Sequence, residues 1–486
     1  MAGLFGTLDI SSRALQVNQR GLAITGHNIA NVNTPGYTRQ RQELESAVST
    51  QDGSGHIGNG VNQRTINRIN DTFLQARLIQ EHSSYGSLQS ESSVVGQLDA
   101  LYNEQFGDGI TPQLSKLYDA FGDLANASTP GQIAERGALV GIAQSVTTTF
   151  NRFDTQMGDL QRSTDRAIVG ILPEVNGLLD RIATLNSEIA KSEVVAPAND
   201  LRDEQERLIR ELASKIEITT LESNSGMTTV LFEGGIPLVE GQRASSLVAV
   251  ADPTNVFDPT FSSVHVQIGN ESIDITDRIR GGELGGMLIS RDVHIADAIR
   301  ELDALAYTLV QTVNEQHNLG AGLVDGSSND FFSLDSPGTV EGSAGELRVA
   351  DVILADSGNI AAGGGPGPAL LGDVTNAAEL ARLRDVLSPS YAAGDVLGTP
   401  TGVSQSVIQQ SANMISARGR AAELVDFSLR QQERVLNEVE DRRDQVSAVS
   451  LDEEVTDLIR LQASFQANAR VISTINEMLN ELVNVI

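Results

Sequence analysis

The sequence has no cysteine and no tryptophan among its 486 residues, and aromatic residues make up 4% of it. Without a thiol there is no disulfide, no thiolate metal site and no cysteine nucleophile. Positive charge is scarce as well. Lys116, Lys191 and Lys215 are the only lysines, and 34 basic residues stand against 64 acidic ones, a formal charge of −30. So acidic a chain repels nucleic acid and anionic lipid, and neither is expected as a partner. No apolar run approaches the roughly 20 residues that cross a bilayer, so membrane insertion is not expected. The stretch Met1-Ala2-Gly3-Leu4-Phe5-Gly6-Thr7 has neither the basic n-region nor the apolar h-region of a secretory signal, and no cleaved signal peptide is expected.

Histidine is thin too. None of His27, His56, His82, His265, His294 and His317 lies three or four residues from another, so helical zinc spacing is absent. The glycines of 363–367 are not followed by the Gly-Lys-Ser/Thr of a phosphate loop, and no Gly-x-Ser-x-Gly elbow occurs. Asp325-Gly326-Ser327-Ser328-Asn329-Asp330 departs from calcium-loop spacing and reads as a turn. No catalytic, metal or cofactor site is expected, and the chain is not read as an enzyme.

What the sequence does have is a heptad near each end. Leu8, Leu15, Leu22 and Ile29 recur every seventh residue, while their companions Ser11, Asn18 and Thr25 are polar. A single narrow stripe suits a helix that meets one partner seam. Gly21 and Gly26 weaken that helix by about 1 kcal/mol each, so alone it should be marginal. In the C-terminal segment Leu458, Phe465, Ile472, Leu479 and Ile486 form one row, and Leu461, Asn468, Ile475 and Leu482 form a second. Alternating steps of three and four predict a coiled coil between the two ends of the chain. These rows make Leu8, Leu15, Leu22, Ile29, Leu458, Leu461, Phe465, Ile472, Ile475, Leu479 and Leu482 the candidate assembly interface. Ser450 and Glu453 have capping-box spacing at the start of the second helix.

Between the ends the period changes twice. Helical spacing covers about 71–216, as in Val175, Leu178, Leu179, Ile182, Leu185 and Ile189. Two hairpin signals follow, Gly234-Gly235 and Gly269-Asn270, each flanked by alternating residues. Helical spacing then resumes from Ile295. Residues 318–400 are rich in Gly, Ser, Asp and Pro and read mostly as loop, with one strand at Leu347 to Leu354. The expected fold is mainly α with a small inserted antiparallel β domain, in nested layers. Residues 1–40 with 447–486 form the terminal coiled coil, 41–216 with 286–446 a helical bundle, and 217–285 the β insert.

After the first helix comes Asn28-Ile29-Ala30-Asn31-Val32-Asn33-Thr34-Pro35-Gly36-Tyr37, a helix stop and a type II turn. This run resembles the N-terminal signature of the axial proteins of the bacterial flagellum, the rod, hook and hook-associated proteins. Gln466-Ala467-Asn468-Ala469-Arg470-Val471-Ile472-Ser473, ending in Asn476-Glu477-Met478-Leu479, is similar to the family's C-terminal signature. Tyr37-Thr38-Arg39-Gln40, Gly60-Val61 through Asp71-Thr72-Phe73-Leu74, and Asn199 to Leu208 resemble a hook-associated member more than a rod or hook protein. The resemblance implies a structural protein at the junction of hook and filament, outside the cell. It implies export as an unfolded chain by the flagellar type III machinery with an export chaperone. It further implies assembly with other copies of itself in a ring, with the hook protein, and with the next hook-associated protein. Asn28, Asn31, Asn33, Thr34, Pro35, Gly36 and Tyr37 are its signature turn. The alternatives are a rod or hook protein, or an extracellular enzyme or adhesin carried on an axial scaffold.

Overall fold

Helical periodicity dominates the sequence, and helices dominate the structure. The computed structural model describes residues 2–52, 55–102, 109–128, 131–194, 196–223, 226–255, 258–324, 329–365, 367–391 and 400–484. Ile486 and residues 325–328 of the Asp325–Asp330 segment lie outside them. The helices are α1 (Ala2–Ala30), α2 (Thr72–Leu101), α3 (Ile110–Asn126), α4 (Ile133–Ser192), α5 (Asn199–Lys215), α6 (Gly282–Ile289), α7 (Ala296–His317), α8 (Ser343–Glu346), α9 (Asp351–Ala355), α10 (Thr375–Arg382), α11 (Val407–Ser447) and α12 (Leu451–Asn484). Between α1 and α2, β1 (Gln40–Ser46) pairs antiparallel with β4 (Val61–Arg68), and the short hairpin β2 (Thr50–Asp52) and β3 (Gly55–Ile57) joins them.

α4 organises the rest. Its 60 residues extend about 90 Å at 1.5 Å per residue. Toward its N-terminus, Leu139, Val146, Phe150, Phe153 and Met157 pack with residues of α3, α7 and α11 such as Leu114, Phe121, Leu302, Leu309 and Met414. Toward its C-terminus, Ile168, Leu172, Val175, Leu179, Ile182 and Ile189 pack with Leu208 and Leu212 of α5 and with the sheets. A polar layer separates the two cores. Gln161 Nε2 donates to the Arg291 carbonyl at 2.9 Å, Arg291 Nη1 donates to Asp165 Oδ1 at 2.6 Å, and His294 Nε2 lies 2.7 Å from Glu91 Oε1. In this layer the chain between α6 and α7 widens into a π-helical stretch, Ser290–Ile295. A buried guanidinium is tolerated only where carboxylates and carbonyls take up its donors. Asp165, Asp292 and the Ser262 carbonyl do so for Arg291.

The stretch 217–285, expected as one unit, forms two antiparallel sheets. β5 (Thr219–Glu222), β6 (Thr228–Phe232), β7 (Ile236–Glu240) and β8 (Arg243–Ala244) pair in sequence order, and β10 (Ser262–Ile268) lies between β9 (Ser246–Ala251) and β11 (Glu271–Asp274). The turns fall on Gly234, Gly235 and Gly269, with φ of 74°, 81° and 60°. Strands this short cannot close a core alone. Their inward residues Val230, Phe232, Leu238, Val239, Leu247, Val264 and Val266 therefore join the core of α4 and α5.

The glycine-rich stretch 318–400 is more ordered than its composition suggests. The strand expected over Leu347 to Leu354 is confined to Arg348–Val349, paired with Phe332–Ser333, because α9 begins at Asp351. Phe331, Phe332, Val340, Leu347, Ile353, Ile360 and Leu380 all enter the first core. Two side chains of α7 pin the intervening turns. Asp303 accepts from Gly342 N at 3.0 Å and Ala344 N at 2.9 Å. His317 Nδ1 is 2.6 Å from the Asn329 carbonyl and Nε2 is 2.8 Å from Ala361 N. A carbonyl only accepts and an amide N–H only donates, so Nδ1 carries the proton and the ring is neutral. Burial pushes Asp303 up to about 7 and holds His317 down to about 4.

His317 binds a proton more readily in the unfolded chain than in the folded one. Its contribution is therefore complete above about pH 6.5 and lost as pH falls toward 4. The stability advantage of the parent over His317→Gln should shrink by roughly 2 kcal/mol between about pH 7.5 and 5, read by urea denaturation. An advantage that does not change with pH would contradict the assignment. A second expectation concerns the close packing of α6 on α2. A Cβ on Gly286 would stand well inside contact distance of the Ser87 carbonyl and Ser90 Oγ. Gly286→Ala should cost about 1–3 kcal/mol in the same assay.

Candidate assembly site

α1 and α12 lie antiparallel, and polar side chains hold them together. Asn18 Nδ2 donates to Ser464 Oγ at 3.0 Å, and Asn28 Nδ2 donates to Glu454 Oε2 at 3.2 Å. Between these contacts Gly21 lets the helices approach: a Cβ there would lie 3.1 Å from both Leu461 methyls. The polar companions Ser11, Asn18 and Thr25 are buried, whereas Leu8, Leu15, Leu22 and Ile29 are half-buried. On α12, Leu458, Leu461, Phe465, Ile472 and Leu479 are half-buried, Ile475 is buried, and Leu482 is exposed. Among the described residues Val17 and Ile475 are the only buried hydrophobic side chains of these two helices. A second apolar set on α12, Val455, Ile459, Val471, Met478 and Val483, faces solvent.

The signature turn sits where α1 ends. Tyr37 N donates to the Thr34 carbonyl at 3.2 Å, and Gly36 takes φ 82°, as the third residue of a type II turn requires. Asn31 Nδ2 caps the His27 carbonyl, Thr34 Oγ1 lies 3.1 Å from Asn31 Oδ1, and Asn33 and Pro35 are exposed. Asn28 is the centre. Its Oδ1 accepts from Tyr37 Oη at 2.8 Å and Gln40 N at 3.1 Å, and its Nδ2 donates to the Gln40 carbonyl at 2.9 Å as well as to Glu454. Two donors and two acceptors exhaust what an amide can do. Burial first, then the carboxylates Asp200, Asp203 and Glu454, push the Tyr37 hydroxyl well above its ordinary range, so it remains a donor.

Two further segments close around the turn. From α5, Asp203 accepts from Thr38 N at 3.0 Å and from Arg68 Nη1 at 2.7 Å, while Asp200 accepts from Gln40 Nε2 at 2.8 Å. Glu206 also pairs with Arg68 at 2.8 Å. From the α11–α12 corner, Arg39 N donates to the Ser447 carbonyl at 2.8 Å, and Arg443 donates to the Gly36 carbonyl at 3.1 Å. Arg39 also bonds Glu454 at 2.6 Å and pairs with Glu453. Ser450 offers its carbonyl to Glu454 N at 3.0 Å, and Glu453, read as its capping partner, directs a carboxylate oxygen to Arg39. Nothing in the local sequence marks Arg39 or Arg68 as site residues. Only pairing across 415 residues for Arg39 and 135 for Arg68 reveals them. A capping box forms instead at α11, where Ser406 and Gln409 cap each other.

The contacts of this arrangement tie distant segments of the chain to one another. A cleft of about 750 Å³ runs between α1, β1 and α12, lined by Gly21, Thr25, Gln42, Asn67, Arg460 and Leu461. No group of three potential metal ligands occurs among the described residues, and no helix there is long and apolar enough to cross a membrane.

Three family descriptions match the chain. Flagellar hook-associated protein FlgK helical domain matches residues 95–332, flagella basal body rod protein matches 8–38, and flagellar basal body rod FlgEFG protein C-terminal matches 444–485. Flagellar hook-associated protein 1 of Bacillus subtilis is 28% identical over 515 residues, covering 100% of this chain and 99% of the relative. The protein of that name from Salmonella typhimurium is 26% identical over 550 residues, covering 97% and 98%. The structure of the flagellar hook junction protein FlgK from Burkholderia pseudomallei has the same fold, with a TM-score of 0.63 at 15% identity over 77% of this chain and 100% of that one. The two ends, with the site they build, make this chain an axial protein of the bacterial flagellum. Within that class, the hook-associated helical-domain match over the middle and the similarity along the whole chain to flagellar hook-associated protein 1 of other bacteria set it beside the hook-associated members.

The buried amide at the centre gives a direct test. Asn28→Asp removes two donors and sets a carboxylate against Glu454, which is itself 2% exposed. An uncompensated buried charge costs about 3–5 kcal/mol. The variant should keep both cores, seen as an unchanged main thermal transition, and lose α1 and α12 to trypsin at least tenfold faster than the parent.

Proposed function

We propose that the chain is a structural protein of the flagellar hook–filament junction, without catalytic activity, in keeping with relatives named as hook-associated and hook junction proteins. It travels unfolded through the flagellar type III route with an export chaperone. At the hook tip it forms a ring with copies of itself, seated on the hook protein and followed by the next hook-associated protein. The observation that supports this reading best is the imbalance at its ends. The cores are apolar and self-sufficient, whereas α1 and α12 bury one hydrophobic side chain each and leave Val455, Ile459, Val471, Met478 and Val483 uncovered. Helices so poorly covered are marginal alone and gain most from neighbours.

The half-buried rows Leu8, Leu15, Leu22, Ile29 and Leu458, Leu461, Phe465, Ile472, Leu479 belong to this interface, together with Ile475 and Leu482. The outer residues Val471 and Met478, 40% and 44% exposed, separate the reading from a purely intramolecular one, because each keeps an open apolar surface that a neighbouring subunit would cover. In a motile strain, Val471→Asp with Met478→Asp should leave the purified protein as stable as the parent, since exposed substitutions typically stay within about 0.5 kcal/mol. The variant should be secreted into the medium, join no hook and support no swimming. Flagella bearing filament on this variant would refute the proposal.

A further inference from the structure

α11 packs one face on α2, burying Val425 and Leu436, and presents the other to solvent. On that outer face Arg420, Leu424, Phe427, Gln431 and Arg434 follow one another at steps of three and four, so they form one stripe. Its centre is apolar and open, with Leu424 65% and Phe427 52% exposed. Its two ends are cationic. Arginines elsewhere on this helix are paired: Arg418 with Glu301, Arg430 with Asp426, Arg442 with Glu438. Arg420 and Arg434 have no carboxylate within ion-pair distance among the described residues, although Glu423 and Glu433 flank the stripe. An exposed aromatic beside aliphatic surface, bracketed by free guanidiniums, has the composition of an interface anchor.

From this stripe we infer the side-to-side contact between copies of the chain, of the heterologous kind. The inference rests on the junction reading above. The occupant follows from charge. Carboxylates outnumber cations by thirty, so the remaining surface of a second copy is predominantly acidic and complements Arg420 and Arg434. The same charge excludes the symmetric alternative. Two α11 stripes laid antiparallel about a twofold axis would set Arg420 of each against Arg434 of the other, and parallel stripes would set like arginines together. Like charges across an interface disfavour that register. A stripe that refuses itself and accepts a different, acidic face of the next copy generates a ring or helix and never stops at a dimer.

The test places photoreactive benzoylphenylalanine at position 427 of the full-length chain, in a strain that builds flagella. Isolated hook and junction assemblies are illuminated, denatured and probed for this chain. With one crosslinker per copy, a heterologous contact yields a ladder of dimers, trimers and larger species, with acceptor peptides outside 420–434 and rich in Asp and Glu. Arg420→Glu with Arg434→Glu in the same background should lower the ladder at least tenfold while the circular dichroism and melting of the purified chain stay unchanged. Dimers alone, acceptors within α11, crosslinks only to another protein, or a ladder indifferent to the two charge reversals would each overturn the inference. Presence of the chain without a ladder leaves the junction reading standing; absence of the chain from the assemblies removes both.

Discussion

Asn28 joins the end of α1, the turn that follows it and the distant start of α12, and it does so through hydrogen bonds. Its amide engages the Tyr37 hydroxyl, both backbone groups of Gln40, and the Glu454 carboxylate. Around it, Asp203 and Arg68 tie the turn to α5, and Arg39 ties it to α12. Each such bond contributes about 1 kcal/mol net, because the unfolded chain bonds water equally well. Losing one partner is far more costly, since the other is then buried alone. The site is thus specific rather than strongly stabilising, and it fixes where α1 and α12 leave the body of the molecule.

Elsewhere the balance is reversed. Both cores on α4 are filled by leucine, isoleucine, valine and phenylalanine drawn from several elements. Burying each large side chain contributes roughly 1.5–3 kcal/mol. A molecule built this way has a stable middle and conditional ends. Opening of α1 and α12 breaks a few polar bonds and leaves the cores intact, so the free energy of opening varies widely along the chain. The proposed role uses that difference, since the ends gain their missing cover only among other subunits.

Periodicity made much of this legible. The long helices follow from spacing, the two hairpin turns from Gly234-Gly235 and Gly269-Asn270, and the sharp corner from Pro35-Gly36. Where reading stopped, the cause was contact between residues distant in sequence. Leu8, Leu15, Leu22 and Ile29 form the conspicuous row of α1, yet Ser11, Asn18 and Thr25 are the more buried, because Gly21 draws the helices together along the polar face. The packing of Phe331, Phe332 and Ile353 was hidden by glycine and aspartate around them, whose turns are pinned by Asp303 and His317 from another element. Arg39 looks like any surface arginine until Glu454 is placed beside it.

The unbroken passage of α4 through both cores has a geometric consequence. A residue added between Met157 and Ile168 would rotate one core against the other by about 100° and shift it by about 1.5 Å. Arg291 could no longer reach Asp165, nor could Gln161 reach the Arg291 carbonyl. The count of residues in that segment is therefore constrained more tightly than their identity. A change in length is accommodated more readily in the turns between strands and in the stretch beyond α7 than along the shaft. In this molecule α4 acts as a ruler, setting the angular phase between the body that anchors the ends and the body that lies farthest from them.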